Sequence, residues 1–156
     1  MPGAGKSTVG VLLAKRTGRD FVDTDLLIQR AARRPLQEIV DGGGREELLR
    51  LEEACVLELA CERTVIATGG SVVYSPRAMR HLLGLGKIVF LDVPLAVLEQ
   101  RIDDLSCRGL ARRPGQTLAD LYGERRPLYQ RYAEQTVDCG ARSHEAVLND
   151  LLRAIR

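Results

Sequence analysis

The spacing of apolar positions changes repeatedly along the chain, and the changes divide it into alternating helices and strands. Over residues 6–16, Val9, Leu12 and Leu13 recur at helical intervals and Gly18 supplies a stop, so the chain opens on a helix. Residues 20–22 read as a short strand that runs into Asp23 and Asp25, with a helix through Leu26, Leu27 and Ile28 behind it. Pro35 starts another short helix, and Gly42, Gly43 and Gly44 end it. Residues 45–61 carry Leu48, Leu51, Val56, Leu57 and Leu59 as an amphipathic helix. The β-branched run 64–67 that follows is a strand closed by Thr68, Gly69, Gly70 and Ser71. Ser75 and Pro76 begin the next helix. Residues 87–93 form an apolar run of the kind buried on both faces of a parallel sheet, and Pro94 starts a helix to about residue 102.

The periodicity then breaks. Residues 103–116 are rich in Asp, Ser, Arg, Gly and Pro, a loop long enough to serve as a lid. Helix resumes over 116–133 despite Pro127, residues 136–138 are a brief strand, and 144–155 close the chain as a helix. Strands alternating with helices imply an α/β fold around a parallel sheet.

Composition narrows the function more than the fold. A chain of 156 residues, 45% hydrophobic and 28% charged, has the size and content of one globular domain and lies outside the disordered and collagen-like classes. Its 23 Lys+Arg against 21 Asp+Glu leave a formal +2, too small a field to argue for nucleic acid. Arg30, Arg33, Arg34, Arg112 and Arg113 lack interleaved aromatics and read as solvated faces. Lysine occurs only at 6, 15 and 87. The dominance of arginine suits small oxyanions, which its forked donors grip. Cys55, Cys61, Cys107 and Cys139 form no CxxC pair and have only His81 and His144 beside them, so neither a zinc site nor a disulfide framework is expected. Cys55 and Cys61 are expected as buried thiols, in a reducing cytoplasm. No stretch approaches the ~18 apolar residues of a membrane span.

The chemistry begins at Pro2. Residues 2–8 read PGAGKST, the back end of the phosphate-binding loop GxxxxGK[ST]. Glycines at 3 and 5 let successive N–H groups turn onto a phosphate, and the helix that follows offers its positive end. Lys6 then reaches the β and γ oxygens, and the Ser7 hydroxyl ligates Mg²⁺. The first glycine of the motif would fall one place before Met1, and the strand that delivers such a loop is missing: either the chain is trimmed or its sheet has lost a member. Asp23 and Asp25 stand at the C-terminal end of a strand, where open α/β sheets bind ligands, and two carboxylates there can divide between metal and substrate. The alternative is helix capping by Thr24 or Asp25. Gly69 and Gly70 would let backbone approach a ligand closely. Asp92 ends an apolar strand, where a second metal ligand is one reading, but Val93 and Pro94 follow it and a structural or supporting role is favoured.

PGAGKST, then DTD at 23–25, ATGG at 67–70, Arg108-Gly109-Leu110 and ERRPLY at 124–129 occur in the order and spacing of the shikimate kinases, and the resemblance spans nearly the whole chain. It implies a P-loop fold, three layers α/β/α around a mostly parallel five-stranded sheet, here without its first strand, with a lid over 103–116. It further implies ATP and Mg²⁺ as cofactors, phosphorylation of a hydroxyl on a small carboxylate metabolite, and a place in aromatic amino-acid biosynthesis. A monomer is expected, with no nucleic-acid or membrane partner. By position, Gly3, Ala4, Gly5, Lys6, Ser7 and Thr8 would hold the phosphates, with Ser7 and Asp23 at the metal and Arg101 against adenine. Asp25 would orient the acceptor hydroxyl, Gly69 and Gly70 would contact the acceptor, Arg108 would close on the transferring phosphate, and Arg125 would bind the acceptor carboxylate. Two positions depart from the family pattern, both on the acceptor side. Leu49 stands in the register of a second substrate-gripping arginine, and Ser71 replaces the third glycine of GGG. Shikimate is the first acceptor these residues suggest; another hydroxy acid such as homoserine, or nucleotide binding without catalysis, are the alternatives.

Overall fold

Glycine and proline punctuate the fold where the sequence places them. The computed structural model describes residues 1–102 and 109–155. Helix α1 (Lys6–Thr17) ends as Gly18 turns left-handed at φ 61°, a conformation that costs glycine little. Strand β1 (Asp20–Asp23) leads into α2 (Thr24–Ala32), and Pro35 stands at the entry of α3 (Leu36–Leu57). The expected stop within 42–44 is a break at Gly44, φ 70°, which divides α3 into two helical pieces. Strand β2 (Thr64–Ala67) has the expected bounds and is followed by a 3₁₀ turn at Val72–Tyr74. The Ser75 hydroxyl caps α4 (Pro76–Leu85), with Pro76 in its first turn. Strand β3 (Val89–Asp92) is shorter than its apolar run and only partly buried, and α5 (Leu95–Arg101) follows Pro94. Helix α6 (Leu118–Tyr132) starts on a reciprocal Thr117–Asp120 capping box and carries Pro127 inside, and β4 (Gln135–Asp138) and α7 (His144–Ala154) complete the described elements.

The strands form two parallel pairs. β1 lies beside β2 with Asp20 opposite Thr64 and Asp23 opposite Ala67; β3 lies beside β4 with Val89 opposite Gln135 and Asp92 opposite Asp138. Among the described residues the other edges of β2 and β3 have no strand partner. A cavity of about 350 Å³ lies between them, lined by Val65, Ile66, Val89, Phe90 and the buried Met1. The described strands thus form two two-stranded sheets on either side of this cavity, where the resemblance implies one sheet. One apolar core nevertheless joins both pairs: Val9 and Leu13 of α1, Met79 and Leu82 of α4, Tyr129 of α6 and Leu148 of α7 all enter it. A second, smaller cluster of Ile28, Ile39, Leu48 and Ala111 packs α2 against α3 beneath residues that follow 108. Cys139 is buried, whereas Cys55 and Cys61, expected as buried thiols, are half-buried, Cys55 against the smaller cluster. No helix among the described residues is long and apolar enough to cross a membrane.

Candidate active site

The loop 2–5 adopts the geometry its glycines permit. Gly3 and Gly5 have φ of 73° and 84°, and a Cβ on Gly3 would come within 3.0 Å of the Ile102 side chain. Gly5 caps α1 without any side chain, no acidic residue stands in the first turn, and among the described residues no acceptor reaches the N–H of Gly5, Lys6, Ser7 or Thr8. Four free donors at the positive end of a helix form an anion site. Lys6 is half-buried beside them. Its amine donates to the Met1 carbonyl at 2.9 Å, and burial lowers its pKa, an effect that the charge of Asp25 opposes. The Ala4 N–H donates weakly to the same carbonyl at 3.4 Å. Arg101 reaches the Gly3 and Gly140 carbonyls at 3.5 and 3.3 Å, at the outer side of the loop.

Asp23 and Asp25 divide their tasks. The Ser7 hydroxyl donates to Asp23 Oδ2 at 2.6 Å, joining residues 16 apart in sequence, while Asp23 Oδ1 accepts the Asp25 N–H at 3.0 Å and caps α2. The helix cap is therefore Asp23 rather than Thr24 or Asp25, because Asp23 alone has the extended backbone that a capping residue needs. Thr24, fully buried, accepts the Gly69 N–H at 3.1 Å and so ties the β1 end to the turn after β2. Asp25 is left to face the cavity; burial and the neighbouring Asp23 raise its pKa, and Lys6 opposes them.

Arg125 lines the same cavity and is only 1% exposed. Its Nη2 donates to the Ala111 carbonyl at 2.6 Å, its Nε to the Tyr74 hydroxyl at 3.2 Å, and among the described residues no carboxylate pairs with it. A Cβ on Gly70 would lie 3.0 Å from Arg125 Nη1 and from the Tyr129 hydroxyl, which itself donates to the Gly70 carbonyl at 2.7 Å. A side chain at 70 would press on both, and the arginine and tyrosine would have to give by a few tenths of an ångström. Arg126, the next residue, holds Asp92 through two bonds of 2.6 and 3.1 Å, which gives Asp92 the expected structural role. A cavity of about 470 Å³ joins these parts: the loop glycines, Lys6, Asp25, Gly69, Gly70, Arg125 and residues 109–111 all line it. Leu48 lines it. The neighbouring Leu49 packs with the cluster around Ile39 to which Leu48 also belongs. Arg108 and the first part of the expected lid, residues 103–108, lie outside the described residues.

The family model for shikimate kinase matches residues 2–156. This chain belongs to the shikimate kinase family. The shikimate kinase of Mycobacterium avium is 36% identical over 151 residues, covering 95% of this chain and 85% of that protein, and the shikimate kinase of Rippkaea orientalis is 34% identical over 158, covering 99% and 84%. Among solved structures, shikimate kinase from Acinetobacter baumannii in complex with shikimate superposes with a TM-score of 0.85 at 29% identity over 98% of this chain and 87% of that one. The shikimate kinase of Aquifex aeolicus gives 0.84 at 30% over 99% and 91%. The chain is thus a small-molecule kinase of P-loop architecture, in a family that uses ATP.

Several residues of the site carried no role in the sequence reading. Thr24, Tyr74, Tyr129 and the Ala111 carbonyl hold Gly69, Gly70 and Arg125 in place. Glu52 lines the cavity at 2% exposure. A signal for Glu52 was present: with Leu48 and Val56 it stands at four-residue spacing on the buried stripe of α3, where a carboxylate is costly without a purpose.

Proposed function

We propose that this chain transfers the γ-phosphate of ATP to a hydroxyl of shikimate, forming shikimate 3-phosphate. One observation carries the reading: the uncapped amides of α1 and the guanidinium of Arg125, which no carboxylate pairs with among the described residues, open on the same cavity, and Asp25 lines it too. A phosphate donor fits the first, a carboxylate the second, and a hydroxyl on the same small molecule then falls beside Asp25. Phosphoryl transfer of this kind passes through a loose transition state, so alignment and charge neutralisation matter more than a strong base. Asp25 orients the hydroxyl and takes its proton late. Lys6 leaves the Met1 carbonyl for the phosphoryl oxygens, and the N–H groups of Gly5 to Thr8 hold the β-phosphate in place.

Ser7 and Asp23 fit Mg²⁺: a hydroxyl and a carboxylate 2.6 Å apart present hard oxygen donors, two in number, as suits an ion that keeps waters and binds phosphate oxygens. Bound there, the ion would neutralise charge on the β and γ oxygens. Arg101 stands where a base could stack, and closure of residues 103–116, with Arg108, would exclude water. One chain carries every group, so a monomer in a single domain suffices, and the free thiols of Cys55, Cys61 and Cys139 suit the cytoplasm.

The test is ATP consumption by the purified chain against shikimate, homoserine and other small hydroxy acids, with Lys6→Ala as control. Turnover with shikimate, lost in Lys6→Ala, is expected; turnover with homoserine alone would reassign the acceptor, and none with any acid would overturn the reading.

A further inference from the structure

Glu52 is the only buried acid among the described residues, and the mechanism above leaves it unused. Its Oε2 accepts the Ser71 hydroxyl at 2.5 Å. Its Oε1 is turned toward the Gly69 turn, where a Cβ on that glycine would clash with it and lie 2.8 Å from Asp25 Oδ1. Oε1 and the Asp25 carboxyl therefore border the same patch of cavity wall. No cation pairs with Glu52 within ion-pair distance among the described residues. Ser71 itself has φ −86° and ψ −10°, a backbone that any residue adopts, so neither serine nor glycine is demanded there by conformation. What distinguishes Ser71 is its donor.

We propose that Ser71 is a positioning residue for the phosphate acceptor: its hydroxyl locks the Glu52 carboxyl with Oε1 facing the cavity, where it bonds an acceptor hydroxyl other than the one phosphorylated. The acceptor is then a polyhydroxy carboxylate held at three points, by Arg125, Asp25 and Glu52. The inference rests on the cavity being the acceptor site.

The groups facing Glu52 are Lys6 from α1, Asp25 from α2, and Arg125 and Tyr129 from α6, with Cys55 on its own helix. Burial pushes the Glu52 carboxyl up to about 7 and Asp25 adds to this, while the Ser71 hydrogen bond, Arg125 and Lys6 pull it down. Glu52 thus changes charge within an ordinary assay range, and Ser71 helps set where.

The experiment is the pH profile of KM for shikimate at saturating ATP, from pH 5.5 to 9, for the parent, Ser71→Ala, Ser71→Gly and Glu52→Gln. The parent is expected to show an inflection near pH 7. Both Ser71 variants should move it upward by about one pH unit or more and raise shikimate KM about threefold to tenfold, with kcat and KM for ATP within about twofold. Glu52→Gln should remove the inflection. An unmoved inflection in folded Ser71→Ala, or one that persists in Glu52→Gln, overturns the proposal. Should neither Ser71 variant fold, the Glu52→Gln profile still decides. Arg125→Lys, run alongside, separates the two levels: if it leaves shikimate KM unchanged, the acceptor-site reading itself fails, whereas a raised KM with a static inflection removes only the role of Ser71.

Discussion

Replacing Arg125 by lysine keeps a cation on α6 and removes the fork. In the parent, Nε and Nη2 are spent on Tyr74 and on the Ala111 carbonyl, at 3.2 and 2.6 Å, and these bonds aim the remaining nitrogen, Nη1, at the Gly70 side of the cavity. Lysine cannot satisfy both anchors and still face the acceptor. A hydrogen bond between charged groups contributes ~1.5–3 kcal/mol, so losing one oriented contact to the acceptor carboxylate should raise KM for shikimate roughly 10- to 150-fold. KM for ATP should change less than about threefold, because the phosphate donors lie on α1. Steady-state kinetics with each substrate varied against saturating partner measures both. The freed Ala111 carbonyl is a separate cost of about 1–3 kcal/mol in folding stability, visible as a lower Tm. If shikimate KM stays at the parental value in a folded Arg125→Lys protein, Arg125 is not the carboxylate anchor and the orientation of the acceptor assigned above is wrong.

Other perturbations probe other parts. Gly70→Ala puts a methyl 3.0 Å from both Arg125 Nη1 and the Tyr129 hydroxyl, so acceptor KM should rise with KM for ATP preserved; equal loss for both substrates would contradict the packing argument. Glu52 is protonated more readily folded, at about 7, than unfolded, near 4.5, so the native state binds more protons in that window and stability falls as pH rises through it. The loss approaches about 3 kcal/mol by pH 8, and Glu52→Gln should melt higher than the parent at pH 8 with the difference closing toward pH 5; a constant difference would show that Glu52 does not titrate. Fusing a five-residue β-branched segment ahead of Met1 should fill the slot between β2 and β3 and raise Tm by at least ~5 °C, and a lowered Tm would mean that the slot does not accept a strand.

Most elements were legible because their boundaries rest on local chemistry. Gly18, Pro35, Ser75, Pro76 and Pro94 act within one turn of themselves, and β2 is β-branched from Thr64 to Ile66. The phosphate side of the site was equally plain, since loop and helix start are contiguous in sequence. On the acceptor side the resemblance named Asp25, Gly69, Gly70 and Arg125, but not the bonds that hold them. Arg125 is held by Tyr74 and Ala111, 51 and 14 residues away, and Gly69 by Thr24, 45 residues back, and no periodicity reports bonds across such distances. Leu49 shows the same limit. Sequence register put it at the acceptor; Leu48 and Glu52 of α3 line the cavity, while Leu49 packs against the cluster around Ile39 to which Leu48 also belongs. Asp92 was read as structural on its neighbours alone, and its bidentate pair with Arg126 supplies the partner.

The central claim is that one cavity holds a polyphosphate on the first turn of α1 and a carboxylate on Arg125 at the same time. A crystal structure of the chain with ADP, Mg²⁺ and shikimate measures this directly. The account predicts a β-phosphate within hydrogen-bond distance of the N–H groups of Gly5 to Thr8, the Lys6 amine moved off the Met1 carbonyl onto that phosphate, and the shikimate carboxylate on Arg125. A nucleotide bound away from α1, or shikimate bound with its carboxylate away from Arg125, would contradict it.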